Sequence, residues 1–183
     1  MNTAVEVGAY PRELETWRIT KSGVNIFLRP VKVTDGPRYK SFLLSLSEQS
    51  VYLKFFRLIR PTDDFVERLV NVDYFHQMTI LALIGKEGDA QVLGMARYDL
   101  NTEEEMAEVA FAVRDDYQNQ GIGTELVAHL TTVGRSRGLK GFTAQVMVDN
   151  RRMLHLFRSL EGKEYTVELR MEAGIFYLNL AFL

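Results

Sequence analysis

The residues of this chain best suited to chemistry lie between Glu105 and Thr124, where Glu108-Val109-Ala110-Phe111-Ala112-Val113 leads into Gln118-Asn119-Gln120-Gly121-Ile122-Gly123-Thr124. An apolar strand entering a glycine-rich turn that opens a helix leaves backbone N–H groups free to hold a phosphate, and the helix dipole reinforces them. Such a stretch points to a nucleotide-like ligand. The turn has no lysine to neutralise a terminal phosphate and lacks the full spacing of a dinucleotide fingerprint, so nucleoside triphosphate and nicotinamide chemistry are disfavoured. What remains is a short diphosphate cradle in which glycines let a ligand approach the amides. Taken alone, two glycines would equally suit a plain strand-to-helix turn.

The elements that must position this stretch follow from periodicity. Residues 1–20 show no clean period and read as an N-terminal extension that becomes ordered toward Arg18-Ile19-Thr20; Lys21-Ser22-Gly23-Val24 reads as a hairpin turn. Val24 to Pro30 alternates as a strand that the proline ends. Thr34-Asp35 is an N-cap signal for a helix over 35–47, Ser47 to Ser50 caps a second, and Pro61 to Asp64 opens a third. From Met78 strands take over, over 78–84, 92–100 and 107–114, with turns at 85–89 and 101–103. Ile122, Leu126, Val127, Leu130 and Val133 mark a long helix, with Glu125 in its first turn, Arg135 and Arg137 in its last, and Gly138 as a stop. A strand over 141–148, a helix over 150–160 and a closing strand pair over 165–169 and 175–181 complete the order. The pattern predicts an α/β (α+β) domain, a mixed central sheet of six to seven strands flanked by about four helices.

A chain of 183 residues, 46% hydrophobic and 25% charged, suits one globular domain with a single core. A formal net charge of -2 gives no basis for nucleic-acid binding. With no cysteine there is no disulfide, thiol nucleophile or thiolate metal site, which fits an intracellular setting. The first residues carry no basic or apolar signal pattern and no run is long enough to span a bilayer, so a cytoplasmic protein without a membrane partner is expected.

Glu108 to Val113, Gln118 to Thr124 and Asn150 just after the next strand together resemble the GNAT superfamily of acyl-CoA-dependent N-acyltransferases. The resemblance covers residues 21–183, the expected acetyltransferase domain, and rests on the family signature of Gln/Arg-x-x-Gly-x-Gly/Ala after a strand, matched by Gln118, Gly121 and Gly123. It implies acetyl-CoA as the acyl donor, with no metal. The turn from Gln118 through Asn119, Gln120, Gly121, Ile122 and Gly123 to Thr124 would hold the diphosphate. The pantetheine arm would lie along Phe111, Ala112 and Val113, with further contacts from Asn150 and Met153. From Glu108 to Arg114 a strand spans roughly 20 Å at about 3.3 Å per residue, comparable with that arm, so Glu108 falls at the thioester end.

Alternation puts Glu108, Ala110 and Ala112 on one face and Val109, Phe111 and Val113 on the other. A carboxylate beside two small residues could take a proton from an ammonium that must become neutral before it attacks a thioester, and partial burial would raise its proton affinity. Outside the family context, Glu108 would read as one more solvated glutamate after Glu103-Glu104-Glu105.

The nearer resemblance is to bacterial protein lysine acetyltransferases of the Pat type, in which an Ala-Glu-hydrophobic-Ala-Phe segment carries the general base. Ala107-Glu108-Val109-Ala110-Phe111 matches that segment, and residues 27–31 and 45–56 are similar to the same subgroup. It implies a protein lysine acceptor, such as an acyl-CoA synthetase. Two departures stand out: Phe157 occupies the position where many family members carry a tyrosine general acid, and Leu160-Glu161-Gly162-Lys163 replaces a Leu-Gly-Phe helix end. The sequence leaves open a small-molecule amine or peptide N-terminus as acceptor, and a non-catalytic acyl-CoA-binding module. His76, His129 and His155 are too scattered to suggest a metal site. Tyr52, Phe55 and Phe56 with Lys54, Arg57 and Arg60 could line the acceptor side of a groove, although such a pattern more often forms a core with a solvated cationic face.

Overall fold

The computed structural model describes residues 8–183; residues 1–7, on which the expected absence of a secretory signal largely rests, lie outside the described residues. The described chain forms β1 (Thr16–Ile19), β2 (Asn25–Pro30), α1 (Gly36–Ser45), α2 (Glu48–Phe55), α3 (Asp63–Val70), β3 (Gln77–Ile84), β4 (Gln91–Asn101) and β5 (Met106–Val113). These are followed by α4 (Ile122–Ser136), β6 (Gly141–Met147), α5 (Arg151–Leu160), β7 (Tyr165–Glu172) and β8 (Ile175–Phe182). The eight strands form one sheet in the order β1-β2-β3-β4-β5-β6-β8-β7.

The class is the α/β arrangement expected, with eight strands instead of six to seven and five α-helices instead of about four. The additional strand is β1, whose residues are mostly exposed, so no alternation of apolar and polar residues betrays it. Backbone pairing to β2 holds it in place, with Trp17 tilted against Phe27 at 4.9 Å.

A second difference concerns Asp35, which stands at the N-cap of α1 and does not cap it. Its carboxylate is buried and takes both oxygens to Arg29, at 2.7 Å each, and accepts the Lys32 N–H at 2.7 Å. A charge-assisted bidentate pair outcompetes a capping bond, so Asp35 ties the end of β2 to the helix entry. The caps expected for the next two helices are present: Ser47 Oγ accepts from Ser50 N–H and Thr62 Oγ1 from Phe65 N–H.

The core is laid on both faces of the sheet. Tyr39, Phe42 and Leu43 of α1 pack toward β4, while Ile122, Leu126, Leu130 and Val133 of α4 cover β3, β4 and β5. Every neighbouring strand pair is antiparallel except β5 and β6, which are joined through α4 and run parallel. No helix among the described residues is long and apolar enough to cross a membrane.

Candidate active site

The parallel pair at the centre of the sheet is short. β5 pairs with β4 over its whole length, yet meets β6 only at Met106–Gly141, Ala107–Phe142 and Glu108–Thr143. Beyond Glu108 the two strands part, leaving one edge of β5 from Val109 to Val113 without a strand partner. Backbone donors and acceptors on a free edge seek partners. Here they line a cleft of about 570 Å³ whose opposite wall is formed by Ala144, Gln145, Val146 and the start of α5.

At its far end the cleft reaches the glycine turn. Asn119 and Gly121 adopt left-handed backbone, with φ of 61° and 90°, which bends the chain sharply into α4. No side chain caps α4, and among the described residues the first turn bond here runs from Glu125 N–H to Gly121 O, so the N–H groups of Ile122, Gly123 and Thr124 are left for a ligand. Gly123 needs glycine neither for φ nor for packing, since a Cβ there would make ordinary contacts of 3.5 Å with Leu156 and 3.9 Å with Val113. Gly123 is the second residue of α4, and what glycine gives there is a bare surface on the cleft beside the first-turn amides. Free amides, a helix N-terminus, and Lys21 and Arg152 in the surrounding wall form a donor set that fits a diphosphate.

Glu108 stands at the opposite end, at the point where β5 and β6 separate. Partial burial is expected for Glu108 from its neighbours in sequence, but the side chain is exposed, because the parting strands open its surroundings to solvent. Gln145 Nε2 donates a long hydrogen bond of 3.4 Å to its Oε1. Across the ladder its register partner is Asp99, whose carboxylate is held by Arg97 at 2.8 Å and by Gln77 at 2.9 Å. A second cavity, of about 540 Å³, lies on the other side of Glu108 against β7 and β8, and includes Glu168, Arg170, Tyr177 and Asn179. Glu108 therefore faces two spaces, one reaching toward the glycine turn and one that does not.

Of the residues singled out from sequence, Phe111, Ala112, Val113, Gln118, Asn119, Gly121, Gly123, Thr124, Asn150 and Met153 line the same cleft as Glu108. Gln120 and Ile122 do not: Gln120 donates from Nε2 to the Asp116 carbonyl, and the Ile122 side chain is buried in the core. Two polar side chains in the cleft wall are already engaged. Gln118 donates to the Val113 carbonyl at 3.0 Å and to Ser50 Oγ at 3.3 Å, and accepts from Arg152 Nη1; Asn150 Oδ1 caps α5 by accepting from Met153 N–H. Both hold the walls together. Phe157 is fully buried with its ring edge-on to Phe111 at 6.0 Å, so the expected absence of a tyrosine acid there is filled by packing.

Two cleft residues were not legible as such. Lys21, read only as part of a hairpin turn, comes against Gly121, where a Cβ would meet Lys21 Cγ at 3.1 Å. Lys54, one of a group weighed against an ordinary solvated face, is half-buried in the cleft wall. Neither contact leaves a local signal, since each joins segments far apart in the chain.

Comparison with known proteins agrees with this geometry. Residues 49–161 match the acetyltransferase (GNAT) family. The chain is 29% identical over 135 residues to acetyltransferase PA5475 of Pseudomonas aeruginosa, covering 73% of each. It is 34% identical over 156 residues to acetyltransferase Pat of Mycolicibacterium smegmatis, covering 85% of this chain and 45% of Pat, so it spans less than half of that relative. Among solved structures, the GNAT domain of S. lividans PAT superposes with a TM-score of 0.85 at 28% identity, over 95% of this chain and 100% of that one. The cAMP-binding acyltransferase from Mycobacterium smegmatis gives 0.63 at 27% identity, over 91% of this chain and 47% of its own. The match of residues 49–161, on a sheet that parts beside an uncapped glycine turn, shows that the chain is an N-acetyltransferase belonging to the GNAT family.

Proposed function

We propose that the chain transfers an acetyl group from acetyl-CoA to the ε-amino group of a protein lysine, with Glu108 as general base. The observation that carries this reading is the position of Glu108 between the cleft and the second cavity. Acetyl-CoA in the cleft would supply an activated thioester at the Glu108 end. The β5 edge from Val109 to Val113, whose last carbonyl is already held by Gln118, orients the extended arm through its remaining backbone groups, and the amides of Ile122, Gly123 and Thr124 receive the diphosphate. The acceptor amine approaches from the side of β7 and β8, where Glu168 offers a carboxylate to a cationic side chain.

An ammonium has no lone pair, so it must lose a proton before it attacks the carbonyl carbon. Glu108 is placed to take that proton, directly or through water, and its exposure gives the proton a route to solvent. With Phe157 inert in the core, the leaving thiolate is protonated from water or stays ionised, given a thiol pKa of about 8.5. The protein acceptor is supported by the likeness to acetyltransferase Pat and to the GNAT domain of S. lividans PAT.

The test is Glu108→Gln assayed by CoA release, with acyl-CoA synthetases as lysine-bearing acceptors. Loss of the base should lower kcat about a hundredfold or more at neutral pH, with acetyl-CoA binding by calorimetry retained. Unchanged turnover would remove Glu108 from the mechanism. Release only with small amines or peptide N-termini would redirect the acceptor, and binding without release to any acceptor would favour a non-catalytic module.

A further inference from the structure

Lys54 lies in the last turn of α2 and lines the same cleft as Glu108, yet neither the diphosphate cradle nor the base makes use of it. Lys32, Lys40 and Lys140 each have a carboxylate within ion-pair reach. Among the described residues Lys54 has none; its Nζ lies 5.2 Å from the centroid of the Phe55 ring. The charges that act on it are Arg97 and Asp99 of β4, which stand opposite Ala110 and Glu108 in the strand ladder. Lys54 thus shares with Glu108 both a cleft and the field of the same stretch of β4, whose register lies away from the end of β5 that enters the glycine turn.

We propose that Lys54 is an internal acyl acceptor, an amine in the cleft wall that takes the acetyl group from the bound thioester onto its own Nζ. The inference rests on the acetyl-CoA reading of the cleft. The Nζ lone pair attacks the thioester carbonyl carbon, a C–N bond forms, and the C–S bond breaks. The proton shed by the nitrogen passes through Glu108 or water to the departing thiolate. The products are Nε-acetyl-Lys54 and free CoA thiol, and no further reactant is required.

The surroundings favour this. Desolvation, helped by Arg97 and only partly offset by Asp99, brings Lys54 down to about 7. Near pH 7 roughly half of such a side chain is neutral, against a few parts in ten thousand for an ordinary lysine of pKa about 10.4. Exposed lysines lack both the free lone pair and the neighbouring thioester.

The full chain should be incubated with acetyl-CoA and no acceptor, then analysed by intact mass and peptide mapping, with acetyl-CoA binding measured in parallel by calorimetry. The expected result is one acetyl group per chain, on Lys54, gained at least about tenfold faster than on exposed lysines such as Lys86 and Lys140. Excess desulfo-CoA should suppress it, and folded Lys54→Arg should not gain it. If acetyl-CoA binds and the Lys54 peptide stays unmodified, or is labelled no faster than exposed lysines or without competition by desulfo-CoA, the inference is overturned while the acetyl-CoA reading stands. If acetyl-CoA does not bind, both fall.

Discussion

Tyr39 ends in a buried hydroxyl with no hydrogen-bond partner among the described residues. Burial pushes its phenol well above the ordinary value, the expected response of a group whose charged form has nowhere to go. The ring is engaged, stacking on Phe42 at 6.0 Å. Tyr39→Phe keeps that stack and removes the desolvated oxygen, so it should stabilise the protein by about 1 kcal/mol in urea unfolding. A loss of stability would mean that the hydroxyl is satisfied by an ordered water. The contrast with Glu108 is instructive, because both carry oxygen on an otherwise apolar strand or helix pattern. Pattern located Glu108 at the cleft end; it gave no access to exposure, which depends on β6 turning away thirty-odd residues later in the chain. Lys54 was obscured for the same reason, since the cleft it lines is completed by β5, β6 and α5, far along the chain.

At the scale of elements, α2 is pinned to the site by a small polar knot. Asp115, just past the end of β5, accepts from Ser47 N–H at 2.9 Å, Ser47 Oγ–H at 2.7 Å and Ser50 Oγ–H at 2.8 Å. Partial desolvation opposes ionisation of Asp115, but these bonds outweigh it and hold the carboxyl below its usual value. A carboxyl lowered on folding stabilises above its unfolded pKa of about 3.9, and that contribution is lost as pH falls through the folded value. Ser47→Ala removes both the cap of α2 and a bond to Asp115, and should cost about 1 kcal/mol at neutral pH. The difference from the parent should shrink in acid, once the pH has fallen through the lowered titration of Asp115 and its carboxyl is protonated in both. An equal difference at both pH values would show that the cap alone matters. The caps at Ser47 and Thr62 and the strand, turn and helix of the cradle were legible because each is written within a few consecutive residues. β1 and the Arg29–Asp35 pair were not, because one depends on an edge pairing and the other on a partner six residues away that outbids the cap.

At the scale of the molecule, the cleft exists because the sheet is nearly two sheets. β1 to β5 and β6 to β8 share three backbone register pairs at the centre, supplemented by the Tyr98–Phe142 and Phe111–Phe157 ring contacts. A ligand that pairs with the free edge of β5 and with the first turn of α4 would therefore complete an interrupted network. Linkage requires that such binding stabilise the fold: at a hundredfold excess over Kd the gain is about 2.7 kcal/mol, and for a domain of this size that corresponds to roughly 5–10 °C in Tm. Hydrogen exchange locates the gain. With acetyl-CoA present, amide protection should rise over Val109 to Val113 and at Ile122 to Thr124, with little change in β1 to β3, whose partners the cleft does not touch. Protection confined to the β7 and β8 side would place the ligand in the second cavity and remove the glycine turn from its binding. Protection at both the β5 edge and the α4 turn would show that one ligand runs along the gap from the parted strands to the glycine turn.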